Sequence, residues 1–95
     1  MTKEAEIMAF LHQNVFNPIL TSERASETLK KGVRYTIMRL EQLDAKGMIQ
    51  YYWSAISGTE RSIPFARQMR DEGFVRFEEV KGEFGDTFTD AWLES

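Results

Sequence analysis

The segment over residues 33–57 constrains the fold most strongly, because apolar residues recur through it at helical spacing. At about 100° per residue, one arc of the helical projection holds six of them. These are Val33, Ile37, Leu40, Met48, Tyr51 and Ala55. Such a stripe is typical of a helix that packs against a core. We therefore predict one long central helix over residues 33–57, with the rest of the chain arranged around it.

The second half of this segment is apolar on its opposite side as well. From Met48 onward, that side carries Ile49, Tyr52, Trp53 and Ile56. A helix that is apolar all round is normally buried all round. In a chain of 95 residues this indicates either a fully wrapped helix or a subunit interface. We predict self-association, as a homodimer, through these four side chains.

A different interpretation of the same residues ends the helix at Lys46–Gly47, with the glycine as C-cap. Residues 48–55 would then form a strand, since their side chains also alternate. Asp44 bears on this choice, because it falls inside the apolar arc. Either the helix bends near Asp44, or the carboxylate is buried beside a partner or tilts to solvent.

Four further segments show helical spacing of their apolar residues. They are residues 3–15, 22–31, 62–72 and 76–93. We expect Asn17–Pro18 to end the first of these helices and Ser22 to cap the second. We also expect Gly82 and Gly85 to weaken or kink the last one. The predicted fold is a single domain, a compact all-α bundle of four to five helices.

Gly32 and the turn around residues 57–59 are the remaining breakpoints of this pattern. A glycine inside a helix costs about 1 kcal/mol relative to alanine, so Gly32 is a possible boundary before the central helix. The turn at 57–59 precedes Ser62 and Pro64, which fit the first turn of a helix.

Composition favours a soluble cytoplasmic protein. The chain has no cysteine, which fits a reducing compartment. We find neither an apolar run of about 20 residues nor a secretory signal, so we expect no membrane association. The net charge of −3 conceals an asymmetry. Residues 22–70 carry nine basic and five acidic residues, whereas residues 71–95 carry two and eight, so charge can pair across the fold or steer a partner.

The sequence offers no set of residues for catalysis, metal binding or cofactor binding. His12 is the only histidine, and a zinc site would need further histidines or cysteines. The carboxylates near the end of the chain lack the spacing of an EF-hand loop. They are Glu78, Glu79, Glu83, Asp86 and Asp90. We interpret them as a solvated acidic face and expect the protein not to be an enzyme.

Residues 20–52 resemble the winged helix-turn-helix families of transcription regulators. The shared features are Leu29, a short turn with glycine, the segment TIMRLEQL, and a Lys46–Ile49 segment that leads into a strand. In those families the second helix enters the major groove of DNA. The resemblance implies DNA contacts by four residues, namely Arg34, Tyr35, Thr36 and Arg39.

Taken together, the patterns favour a small helical protein with a non-catalytic, protein-interaction or regulatory role. The expected partner is a second copy of the chain or another protein. A winged-helix DNA-binding regulator is the alternative, and this alternative requires residues 48–55 to form a strand.

Overall fold

A computed structural model describes residues 2–57 and 77–95. The turn expected at 57–59 and the helix expected at 62–72 lie outside the described residues, apart from Ser57. The described segments are helical. They are α1 (Lys3–Leu11), a π-helical turn (His12–Phe16), α2 (Asn17–Leu20), α3 (Glu27–Leu40), α4 (Ala45–Ser57), α5 (Phe77–Thr87) and α6 (Asp90–Glu94). Neither described part contains a strand, and the prediction of an all-α bundle is confirmed.

The first helix continues past Pro18, so the expected stop at Asn17–Pro18 is wrong. The chain passes this point in a π-helical turn, where the backbone N–H of Asn17 donates to the carbonyl of His12, five residues earlier. In a regular α-helix the proline ring would clash with the carbonyl four residues before it. We attribute the wider turn to the relief of this clash, after which α2 resumes with Pro18 in its first turn.

The start of α3 lies four residues later than the sequence indicated. The hydroxyl of Ser26 accepts from the backbone N–H of Leu29 at 3.1 Å and caps the helix. Ser22 belongs to the preceding turn, where its hydroxyl accepts from the backbone N–H of Arg24. The helix then runs through Gly32 without interruption, so this glycine is not a boundary.

The predicted long helix over residues 33–57 is two helices, because the chain leaves helical geometry between Leu40 and Ala45. Asp44 caps α4, since its Oδ1 accepts from the backbone N–H of Gly47 at 2.8 Å. The Glu4 carboxylate, from α1, accepts from the backbone N–H of Ala45 at 3.0 Å. Asp44 is therefore an exposed capping residue. Because α4 covers residues 48–55, the strand interpretation is wrong.

The last predicted helix is also divided, at Phe88–Thr89, while Gly82 and Gly85 both lie within α5. Thr89 caps α6 by accepting from the backbone N–H of Trp92 at 3.1 Å. The ammonium group of Lys3 donates to the carbonyl of Trp92 at 3.0 Å and lies 4.8 Å from the centroid of its ring. These contacts hold α6 against the start of α1.

An aromatic cluster lies where the two ends of the chain meet. Phe10 of α1 packs edge-on to Phe88 at 5.4 Å between ring centroids, and Phe84 of α5 lies 5.0 Å from Phe88. Around it lie the fully buried aliphatic side chains of α1, α2 and α3. They include Ile7, Leu11, Ile19, Leu29, Val33 and Leu40. The core therefore joins the N-terminal helices to α5.

Candidate interaction surface

The four residues predicted as an interface on α4 do not share one exposed face. Tyr52 is only 1% exposed, and its ring packs against Phe84 at 4.9 Å and Phe16 at 6.3 Å between centroids. Contacts within the chain occupy this side chain, so Tyr52 belongs to the core. Its place in the predicted interface is corrected accordingly.

The other three members of that set have different positions. Ile49 is half-buried and packs against the core. Trp53 is 42% exposed, and its ring lies so close to Gly85 that a Cβ built there would be 3.3 Å from Cζ3. The side chain of Ile56 lies outside the described part of the chain. Contact of Ile49, Trp53 or Ile56 with a partner stays a prediction.

Among the side chains that the structure describes, the most exposed large apolar ones lie on α3, on the side away from its buried stripe. Tyr35 is 56% exposed and Met38 is 50% exposed. Residues three apart are neighbours on a helix surface, so the two side chains are adjacent. Exposed basic residues surround them. We call the resulting surface the basic face, formed by Lys31, Arg34, Tyr35, Met38 and Arg39.

Tyr51 of α4 adjoins the basic face through Arg39. The guanidinium carbon of Arg39 lies 5.8 Å from the centroid of the Tyr51 ring, a cation–π distance. Partial burial raises the pKa of the Tyr51 hydroxyl, and the nearby Tyr35 hydroxyl raises it further, while Arg39 opposes both effects. The aromatic surface therefore continues from α3 onto α4.

The basic face includes three of the four residues that the resemblance assigned to DNA contact. The fourth, Thr36, is 4% exposed, and its hydroxyl donates to the carbonyl of Gly32 at 2.8 Å. Thr36 therefore points into the core, and its assignment to DNA contact is corrected. The strand that a winged-helix fold would need after α3 is the helix α4.

A second charged surface lies on α5 and the start of α6. Its exposed carboxylates on α5 follow one another at helical steps of four and three residues, and a further one, Asp90, begins α6. We call it the acidic face, formed by Glu79, Glu83, Asp86 and Asp90. The side chain of Glu78 lies outside the part of the chain that the structure describes. Gly82 lies beside this face, and no atom of the described residues comes within 4 Å of a Cβ built on it. Gly85, one turn further along α5, lies against the Trp53 ring.

The described residues offer few groups arranged for chemistry. Among residues 2–57 and 77–95, no three histidine, aspartate or glutamate side chains group as a metal site requires. His12 packs edge-on against Phe16 at 5.4 Å between ring centroids. Burial raises the pKa of the Tyr52 hydroxyl far above its usual value, which keeps it protonated. No helix in the described ranges is long and apolar enough to cross a membrane.

The sequence alone assigned Tyr35 only to DNA contact and did not single out Met38, although the pair carries a recognisable signal. Tyr35 and Met38 fall on the polar arc of α3, opposite Val33 and Leu40, where large apolar side chains are out of place. That mismatch is the signal that could have identified this surface.

Comparisons of the chain with protein-family models, with curated proteins and with solved structures find no match. The chemistry of the surface itself therefore carries the functional argument.

Proposed function

We propose that the protein is a non-catalytic interaction protein of the cytoplasm that recognises a protein partner through the basic face. The observation that carries the proposal is the adjacent exposure of Tyr35 and Met38, at 56% and 50%, on a helix whose other side is well buried. Covering apolar area contributes roughly 25 cal/mol per Å², so a partner that covers this pair gains binding energy.

The composition of the basic face supports a protein partner. Protein interfaces have apolar centres with polar rims and are enriched in tyrosine, methionine and arginine. Here Met38 and Tyr35 form the apolar centre, and the charged residues form the rim. Arginine and tyrosine are also common among the residues that dominate binding energy. The positive rim favours a partner surface that carries carboxylates.

Nucleic-acid binding is the second candidate, and one observation favours it. Arg34 and Arg39 flank Tyr35 on a single exposed face, so cations that attract phosphates lie beside a ring that could stack on a base. A gel shift with random duplex and single-stranded DNA at low salt tests this candidate. Binding that weakens steeply with added salt would support it over the protein partner.

Photo-crosslinking from the surface tests the main proposal. A photoreactive phenylalanine analogue replaces Met38 in one variant and the exposed Gln13 in a control variant, both expressed in cells that make the natural protein. We expect irradiation to join the chain to a protein through position 38. Position 13 should give no such product, because Gln13 lies on the π-helical turn, outside the basic face.

Three results would count against the proposal. Products with nucleic acid at position 38 would favour the second candidate. Equal products from both positions would show non-specific capture, and no product from position 38 would remove the surface from consideration.

A further inference from the structure

The two charged faces of the molecule complement each other in charge, in spacing and in the apolar surface beside them. The basic face extends from Lys31 to Arg39, a rise of about 12 Å at 1.5 Å per residue. The carboxylates of the acidic face on α5 extend from Glu79 to Asp86, about 10 Å on the same scale. Both are outer faces of helices and present their charged residues to solvent.

We propose that the partner of the basic face is the acidic face of a second copy of this chain. The inference rests on the proposed function, because it names the partner of the same surface. Opposite potentials on two faces of one chain bring copies together in a defined orientation and repel alignments that would pair like charges.

Apolar groups beside the acidic face give Tyr35 and Met38 a surface to cover. Trp53 is 42% exposed, and its ring lies against Gly85 of α5. Gly82, on the same side of α5, has open space where another residue would place a side chain. A helix lying along α5 can therefore bring a large side chain close to the α5 backbone and against the indole ring.

This arrangement also accounts for the separation of charge along the sequence. Among the described elements, α3 packs mainly against α2 and α4, whereas α5 packs mainly against the π-helical turn. The cations and the carboxylates thus occupy helices with different neighbours. Each copy has one basic face and one acidic face. The pairing of basic with acidic face can therefore form twice, once through each face of a copy.

Sedimentation velocity on the purified 95-residue chain tests the proposal, with a charge exchange as the decisive step. We expect reversible association that weakens at least about tenfold between about 0.05 M and about 0.5 M salt, since exposed ion pairs are screened. Arg34→Glu and Asp86→Lys should each weaken association about tenfold or more, because each places like charges opposite one another.

Mixing the two variants should restore association, because the lysine at position 86 then meets the glutamate at position 34. Glu6→Lys is the matched control, since it reverses an exposed carboxylate on α1, outside both faces. It should associate like the unmodified chain. Circular dichroism confirms that each variant is folded, and restoration in the mixture itself requires two folded proteins.

A chain that stays monomeric at high concentration and low salt would overturn the proposal. Association that ignores salt, or that the mixture fails to restore, would overturn it as well. These failures are distinct from failure of the proposed function. A monomeric chain whose position 38 crosslinks to a different protein retains its interaction role and loses only the second copy as partner.

Discussion

Helices α3 and α4 are neighbours in sequence and in space, yet the large side chains that stand out in each differ in their exposure to solvent. On α4, Tyr52 is fully buried against α5 and the π-helical turn, and Trp53 beside it is partly exposed. On α3, Tyr35 and Met38 face solvent. The consecutive aromatic residues of α4 therefore pack mainly within the chain. The candidate surface is instead identified by two large side chains on the solvent-facing side of α3.

The largest expected effect is a difference in stability between Tyr52→Ala and Tyr35→Ala. Removing the buried ring of Tyr52 leaves a cavity and should lower the free energy of unfolding by about 3–5 kcal/mol. Removing the exposed ring of Tyr35 should change it by no more than about 0.5 kcal/mol. Urea unfolding followed by circular dichroism measures both, and similar losses in the two variants would remove the distinction between the helices.

A second expected difference appears at alkaline pH. The raised pKa of Tyr52 means that the folded chain keeps this proton above pH about 10, where the unfolded chain loses it. The free energy of unfolding should therefore fall as pH rises beyond that point, by up to about 1.4 kcal/mol per pH unit from this group. The contribution is fully present below pH about 10.

Tyr52→Phe removes this titration while keeping the ring, so its unfolding free energy should fall less steeply above pH about 10. Tyr51 is unchanged in the variant and continues to contribute in the same direction. Urea unfolding at a series of alkaline pH values gives the two slopes. Equal slopes for the natural chain and the variant would contradict the burial of the Tyr52 hydroxyl.

The start of α3 gives a smaller effect. Ser26→Ala removes the hydroxyl that accepts from the backbone N–H of Leu29 and should cost about 1 kcal/mol. Ser22→Ala is the matched control, because Ser22 accepts within a turn outside the helix and its loss should cost less. Thermal unfolding distinguishes them. A larger loss from Ser22→Ala would restore the earlier helix start that the sequence indicated.

The smallest expected effect compares two glycines of α5. Gly82→Ala should raise the free energy of unfolding by up to about 1 kcal/mol, since the added methyl group enters open space within a helix. Gly85→Ala should gain less, because its methyl group would lie 3.3 Å from the Trp53 ring. Equal gains in urea unfolding would show that Trp53 does not approach α5 as described.

Helical spacing predicted the all-α fold and favoured a helix over residues 48–55, although the alternation of the same side chains also fitted a strand. The position of Asp44 indicated a bend as one alternative, but spacing could not show that the helix ends there. That break depends partly on the Glu4 carboxylate, which caps α4 from 41 residues away. Nor could spacing show which side of the aromatic run faces the core. Tyr52 and Trp53 are adjacent in sequence, and the packing of Tyr52 on Phe84 of α5 distinguishes them.

Most residues of the basic face could be singled out from the sequence, but the set of residues that share this face was predicted incorrectly. Arg34, Tyr35 and Arg39 were singled out for DNA contact, and the structure exposes all three on one face. Met38 was missed, although its place on the polar arc of α3 was readable. The resemblance also assigned Thr36, which follows Tyr35 in the sequence, but one step along a helix turns a side chain by about 100°.

The most direct test of the account is paramagnetic relaxation of the methionine methyl groups by a soluble probe, at low and at high protein concentration. Met38, which is 50% exposed, should relax strongly in dilute solution and become protected as copies associate. Met48, which is 1% exposed, should be protected at both concentrations and serves as the internal reference. Relaxation of Met38 that stays the same at low and at high protein concentration would contradict the account, because Met38 would then lie outside any interface between copies.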